Sequence, residues 1–257
     1  MKNLEKIKIQ QREPIILDRK SYRHKEGYNG ETASVIINDL RKILDVSPVG
    51  ISYNFNEVSD DYKQPHEPLR FCEAIHLAMQ TSRDILLKKE DISCPAARAV
   101  LGFESNNEIL LECAEKLVEA GRFRDVGSAY QVLSEVPKIR WPPSSVFLSS
   151  SAASPDVYVC YLRPVDMMKV IQAHEREFLE PLRLDITGIT PICGGCADRP
   201  YTSNVICASF GCEDLREYGG ISDNELALGV PFKKATQLLG SLLEMYGDEE
   251  GHPHFAV

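Results

Sequence analysis

The chain reads as a mixed α+β protein, with mixed sheets and packed helices in a single compact unit. Three observations predict this. Stretches of helical period alternate along most of the chain with short apolar runs that suit strands. The 43% hydrophobic and 26% charged fractions are those of an ordinary globular protein. At 257 residues the chain can bury a large core, either over 31–246 as one domain or as two intimately packed halves, 31–140 and 145–246.

Residues 1–30 are polar and mixed in charge, an arm before the folded part. From Glu31 to Asp45 the apolar positions Val35, Ile36, Leu40, Ile43 and Leu44 form one helical stripe, which Pro48 ends. Val49 to Phe55 alternates as a half-buried strand does. A polar loop over 56–67 leads to Pro68, which suits a helix start, and a helix is expected from Leu69 to Leu87 with Cys72 on its inward face. Asp91 to Phe103 restarts a helix with Pro95 first and Cys94 at the N-cap, where free N–H groups point outward. Asn107 to Ala120 is strongly patterned and closed by Gly121, and a second short helix runs from Asp125 to Val136. The paired prolines of Arg140 to Ser144 exclude regular structure and mark a connector. Ser145–Ser149 and Asp156–Leu162 read as adjacent strands, followed by a helix from Pro164 to Phe178. Strands over Leu184–Ile189, Asn204–Phe210 and Glu225–Val230 precede a last helix from Pro231 to Tyr246. Residues 247–257 form a loose tail by composition.

The net charge of -9 excludes a general nucleic-acid binder and docking on anionic lipid. No apolar run approaches the roughly 20 residues of a membrane-spanning helix, and Met1 to Glu13 lacks the apolar core of a secretion signal. The eight cysteines are therefore expected as reduced thiols in a cytoplasm rather than as disulfides.

Four of them fall between Ile192 and Cys212, as Cys193, Cys196, Cys207 and Cys212. The first two flank Gly194 and Gly195 in what reads as a tight turn, a spacing from which thiolates can converge on one metal or cluster. Cys113 lies on an apolar helix face, Cys160 in a short apolar strand, and Cys207 alternates with Val205, so all three read as core packing. Cys94 and Cys212 each precede a helix start. Arg70 and Arg98, close in sequence to Cys72 and Cys94, are candidates to bind a cofactor, either balancing a thiolate site or holding a carboxylate. His66, His76, His252, His254, Asp198 and Arg199 read by default as ordinary surface groups. No Gly-x-Gly-x-x-Gly and no phosphate loop is present.

The stretches Arg70-Phe71-Cys72-Glu73-Ala74, Cys94-Pro95-Ala96-Ala97 with Leu101-Gly102-Phe103, Cys196 with Pro200-Tyr201-Thr202, and Gly211-Cys212, together with Glu225-Leu226 and Pro231, resemble the domain of unknown function 169 family of Cys-rich archaeal and bacterial proteins. The resemblance runs from about Leu44 to Leu243 and implies an origin in anaerobes. The family carries no established reaction, so the resemblance bears on which cysteines matter. It picks out Cys72, Cys94, Cys196 and Cys212, with Cys193 able to replace or supplement Cys196. Four thiolates from separated segments suit one [4Fe–4S] cluster or a four-sulfur zinc. Only one Cys-x2-Cys pair is present, where zinc sites of that type usually show two, which favours the cluster.

The leading expectation is thus a cysteine-ligated iron–sulfur protein with a redox or small-molecule role. Its partners would be a small molecule or an electron-transfer protein, and a homo-oligomer stays open. A thiol oxidoreductase working through Cys193 and Cys196, and a non-catalytic ligand-binding protein with structural cysteines or zinc, are the alternatives.

Overall fold

The computed structural model describes residues 32–53, 65–104, 107–136, 139, 143–151, 155–186 and 188–247. The N-terminal arm, most of the polar loop at 56–67, residues 140–142 of the proline connector and all of the tail but Gly247 lie outside the described residues.

The elements in chain order are α1 (Thr32–Leu44), β1 (Val49–Tyr53), α2 (Phe71–Thr81), β2 (Ile85–Leu87), a 3-10 turn (Lys89–Asp91), α3 (Pro95–Val100), α4 (Asn107–Glu119) and α5 (Val126–Glu135). Then come β3 (Val146–Ser149), β4 (Val157–Leu162), α6 (Pro164–Phe178), β5 (Asp185–Ile186), a π-helical segment (Pro191–Asp198), α7 (Arg199–Ser203), β6 (Cys207–Ser209), α8 (Glu213–Tyr218), β7 (Leu226–Pro231) and α9 (Phe232–Tyr246). This is a mixed α+β fold. Among the described residues no helix is long and apolar enough to cross a membrane.

One seven-stranded sheet runs β2-β3-β1-β4-β7-β6-β5. Its pairings are antiparallel except β5 with β6. Strand β4 shows why helices cover both faces. Val157 and Val159 point into one core with Val49, Ile51 and Phe71, while Tyr158, Cys160 and Leu162 point into another with Ile36, Val170 and Leu239. A strand buried on both faces is apolar at every position, as Val157 to Cys160 are. The second core lies beneath α1, α6 and α9, and the first beneath α2 and the π-helical segment. A satellite core joins α3, α4 and α5.

Three expectations differ from the structure. The helix expected to reach Leu87 stops at Thr81, where Ser82 turns left-handed (φ 52°), and Ile85–Leu87 pairs with β3 as an edge strand. A three-residue apolar run has no period to separate strand from helix, and pairing decides it. The strands β3 and β4 are not neighbours, because β1 lies between them with Ile51 opposite both Leu148 and Val157. The Cys-Gly-Gly-Cys stretch is helical rather than a tight turn, and Pro200 stands inside the first turn of α7, where its missing N–H costs nothing.

Candidate functional site

The site is built where several helices begin. Leu69 N–H donates to the Asp91 carbonyl (2.9 Å) and Ser93 N–H to the Leu69 carbonyl (2.8 Å), which ties the chain before α2 to the chain before α3. The pairing starts both helices side by side and places Cys72, in the first turn of α2, near Cys94, the N-cap of α3. Cys212 is the N-cap of α8, which packs on α2. Gly211 before it has φ +85°, a conformation that suits glycine. A side chain at Gly219, at the far end of α8, would come within 3.2 Å of Cys72 Cβ, so the α8 turn closes directly over that thiol.

Cys193 comes from the π-helical segment, every residue of which is buried. Gly195 N–H donates to the Thr190 carbonyl at 3.0 Å, the wide i→i+5 bond of a π-turn. Gly194 is pressed against its surroundings, since a Cβ there would lie 2.6 Å from Thr190 Oγ1 and 2.7 Å from Val136 Cγ1. On the opposite side, a Cβ on Gly229 of β7 would meet the Cys196 carbonyl oxygen at 2.0 Å. The two close approaches seat the segment between the sheet and α5.

Cys72, Cys94, Cys193 and Cys212 thereby line one cavity of about 490 Å³. Its walls are largely apolar, with Phe71, Leu117, Leu133, Ile192 and Leu215 among them, and Arg70, Lys116, Arg122 and Asp214 supply the charges. Burial pushes the Cys72 thiol up to about 12, with Cys94 and Cys212 adding to it. Burial also raises Cys193 well above the thiol range, followed by the effects of Cys94 and Cys72, and raises Cys212. The mutual influence of these groups reflects their proximity. In the metal-free chain Cys72, Cys193 and Cys212 are neutral thiols, and a metal bound there would displace protons. Desolvated thiols of this kind are the reverse of the depressed pKa that activates a dithiol nucleophile.

Cys196 does not line the cavity. It is fully buried against β7, its pKa is raised first by burial and then by Cys207 and Cys160, and neither of those two reaches the cavity. Arg70 does line it, stacked over the Tyr218 ring at 4.4 Å and 3.3 Å from Asp214. Arg98 does not; its guanidinium lies 3.5 Å from Glu104, which Lys89 also holds at 2.7 Å. His76 packs its ring on Gly220, away from the cavity wall.

Three residues of the wall were not legible in sequence. Cys113 serves the satellite core and the cavity at once. Lys116 and Arg122, on α4 and just beyond it, carry no local signal that separates them from surface cations. Asp198, which closes the π-helical segment, is fully buried, both its carboxylate oxygens are without a hydrogen-bond partner among the described residues, and burial pushes it up to about 8. The hydroxyl of nearby Tyr53 likewise has no hydrogen-bond partner among the described residues.

A four-sulfur zinc site draws its sulfurs to about 4 Å from one another. Among the described residues no three His, Cys, Asp or Glu side chains are gathered so as to hold a metal ion. Five thiols line the cavity, Cys113 of α4 beside those of Cys72, Cys94, Cys193 and Cys212, and thiols are the donor type that iron–sulfur clusters take.

The family described as uncharacterised ArCR, DUF169, matches residues 40–241. An uncharacterised protein of Methanocaldococcus jannaschii, MJ0308, is 21% identical over 197 residues, covering 76% of this chain and 84% of its own. No solved structure matches.

Proposed function

We propose that this chain, which belongs to the DUF169 family, is an iron–sulfur protein whose cavity holds one [4Fe–4S] cluster through Cys72, Cys94, Cys193 and Cys212. The observation that carries the reading is the lining of one cavity by thiols from the starts of α2, α3 and α8 and from the π-helical segment. Cys193 takes the place that the family resemblance gave to Cys196, whose thiol is enclosed beside the sheet. When bound, the cluster would supply one-electron chemistry.

The chain's own contribution is electrostatic and steric. Phe71, Ile192 and Leu215 are nearly inaccessible and set an apolar wall beside the thiols, of which Cys193 is buried and Cys72, Cys94 and Cys212 are half-buried. Arg70 and Arg122 set positive charge against a thiolate set that would otherwise carry uncompensated negative charge. The backbone N–H of Glu73 and those of Asp214 and Leu215 favour the thiolates of Cys72 and Cys212. The test is isolation without oxygen followed by iron and acid-labile sulfide analysis. A brown protein with about four irons and four sulfides per chain is expected; a colourless, iron-free protein that takes up no iron on reconstitution ends the reading.

A further inference from the structure

The charges around the cavity point to what it admits. In a chain of net charge -9 its wall carries three cations, Arg70, Lys116 and Arg122, together with the carboxylate of Asp214; Lys116 is paired with Glu112 at 2.5 Å, which leaves the two guanidiniums as the anion-facing groups. The Asp214 carboxylate stands between the two guanidiniums, with Oδ2 3.3 Å from Arg70 Nη1 and Oδ1 4.0 Å from Arg122 Nη2. Arg122 makes its closer pair, 2.8 Å, with Glu213, which is 85% exposed. An ion pair so open to water is readily exchanged. The guanidinium pair is thus already arranged around a carboxylate, and the carboxylate now there is itself 43% exposed. Inward of these groups the wall is apolar, with Leu133 and Leu215 each 1% exposed. The volume, about 490 Å³, lies in the range of small-molecule sites.

We infer that the cavity binds a small organic acid, its carboxylate held by Arg70 and Arg122 and its short body on the apolar wall beside the thiols. Planar guanidiniums suit a carboxylate in this way. Asp214 occupies the anion position in this structure and yields it to the ligand. The inference deepens the reading of this cavity as the working site, and names its substrate class, without depending on which metal the thiols hold. An inorganic anion such as phosphate shares the charge but leaves the apolar wall uncovered, so the two are separable by experiment.

The full chain, isolated without oxygen, is titrated with butyrate, with the neutral butyramide and with inorganic phosphate, and binding is followed by saturation-transfer NMR. Butyrate binds and butyramide does not; phosphate binds more weakly than butyrate. R122Q lowers the butyrate affinity by about tenfold or more, as loss of a charge-assisted hydrogen bond does. D214N raises it, because the competing carboxylate is gone. Asp214 is exposed enough that D214N folds, so this arm stands even where R122Q does not. Equal binding of butyrate and butyramide, no binding of butyrate to either wild type or D214N, or a loss of affinity in D214N overturns the inference. Iron measured on the same samples reports separately on the thiols. Iron-free protein that binds butyrate overturns the cluster alone, and iron-loaded protein indifferent to butyrate overturns the anion site alone.

Discussion

Asp198→Asn should flatten the pH dependence of stability. The native carboxyl is fully buried, both its oxygens lack a hydrogen-bond partner among the described residues, and burial raises it from 3.8 to about 8. A raised carboxyl holds its proton in the native state after the unfolded chain has released it. Between pH 3.8 and about 8 the native state therefore binds more protons, and stability falls as pH rises through that window. The loss accumulates at about 1.4 kcal/mol per pH unit, hence to about 4 kcal/mol at pH 7 for this group. Asparagine keeps the volume and cannot ionise. Urea unfolding followed by circular dichroism, from pH 5 to pH 8, should show the variant gaining on the wild type by about 3–4 kcal/mol across the range. Parallel profiles for the two proteins would refute the assignment of a neutral buried acid, and so would a variant that loses ground as pH rises.

The remaining expectations concern the seat of the π-helical segment and its thiols. Gly229→Ala places a methyl group 2.0 Å from the Cys196 carbonyl oxygen, and should destabilise the fold by about 3 kcal/mol or more in the same urea assay; an unchanged midpoint contradicts the close packing. Asp125→Ala removes the carboxylate that accepts the Ser128 N–H at 2.8 Å and caps α5, for a loss of about 1 kcal/mol by thermal unfolding; no loss means that the cap is idle. In metal-free protein at pH 8, Cys72 should react with iodoacetamide at least about a hundredfold more slowly than in urea, because a thiol raised from 9.0 to about 12 holds far less thiolate. Peptide mass spectrometry reads the two rates, and equal rates contradict the burial of this thiol.

Much of the fold was legible where one residue pattern dominates. Helix α6 begins and ends where Pro164 and Phe178 suggested, and Cys94 and Cys212 are N-caps as the prolines, acids and glycines around them implied. What local pattern cannot carry is partnership. Strand β1 enters between β3 and β4 through pairings about a hundred residues apart, as Ile51 with Leu148 shows, and nothing near Ile51 announces them. The choice between Cys193 and Cys196 failed to declare itself for a related reason. In an α-helix residues three apart share a face, but in the wider π-turn each residue advances less around the axis, so the later one falls short of that face. Only the seating of Gly194 and Gly229 then decides which thiol meets the cavity. Arg122 was silent because it joins Cys212 only after α8 has folded back to it.

The account turns on which sulfurs act together, and iron retention in two serine variants tests that most directly. Cys193→Ser and Cys196→Ser are isolated side by side with wild type, without oxygen, and iron per chain is measured alongside circular dichroism. The account predicts that the Cys193 variant keeps its fold and loses its iron, while the Cys196 variant keeps iron at the wild-type level. Iron lost from the Cys196 variant and kept by the Cys193 variant would contradict it.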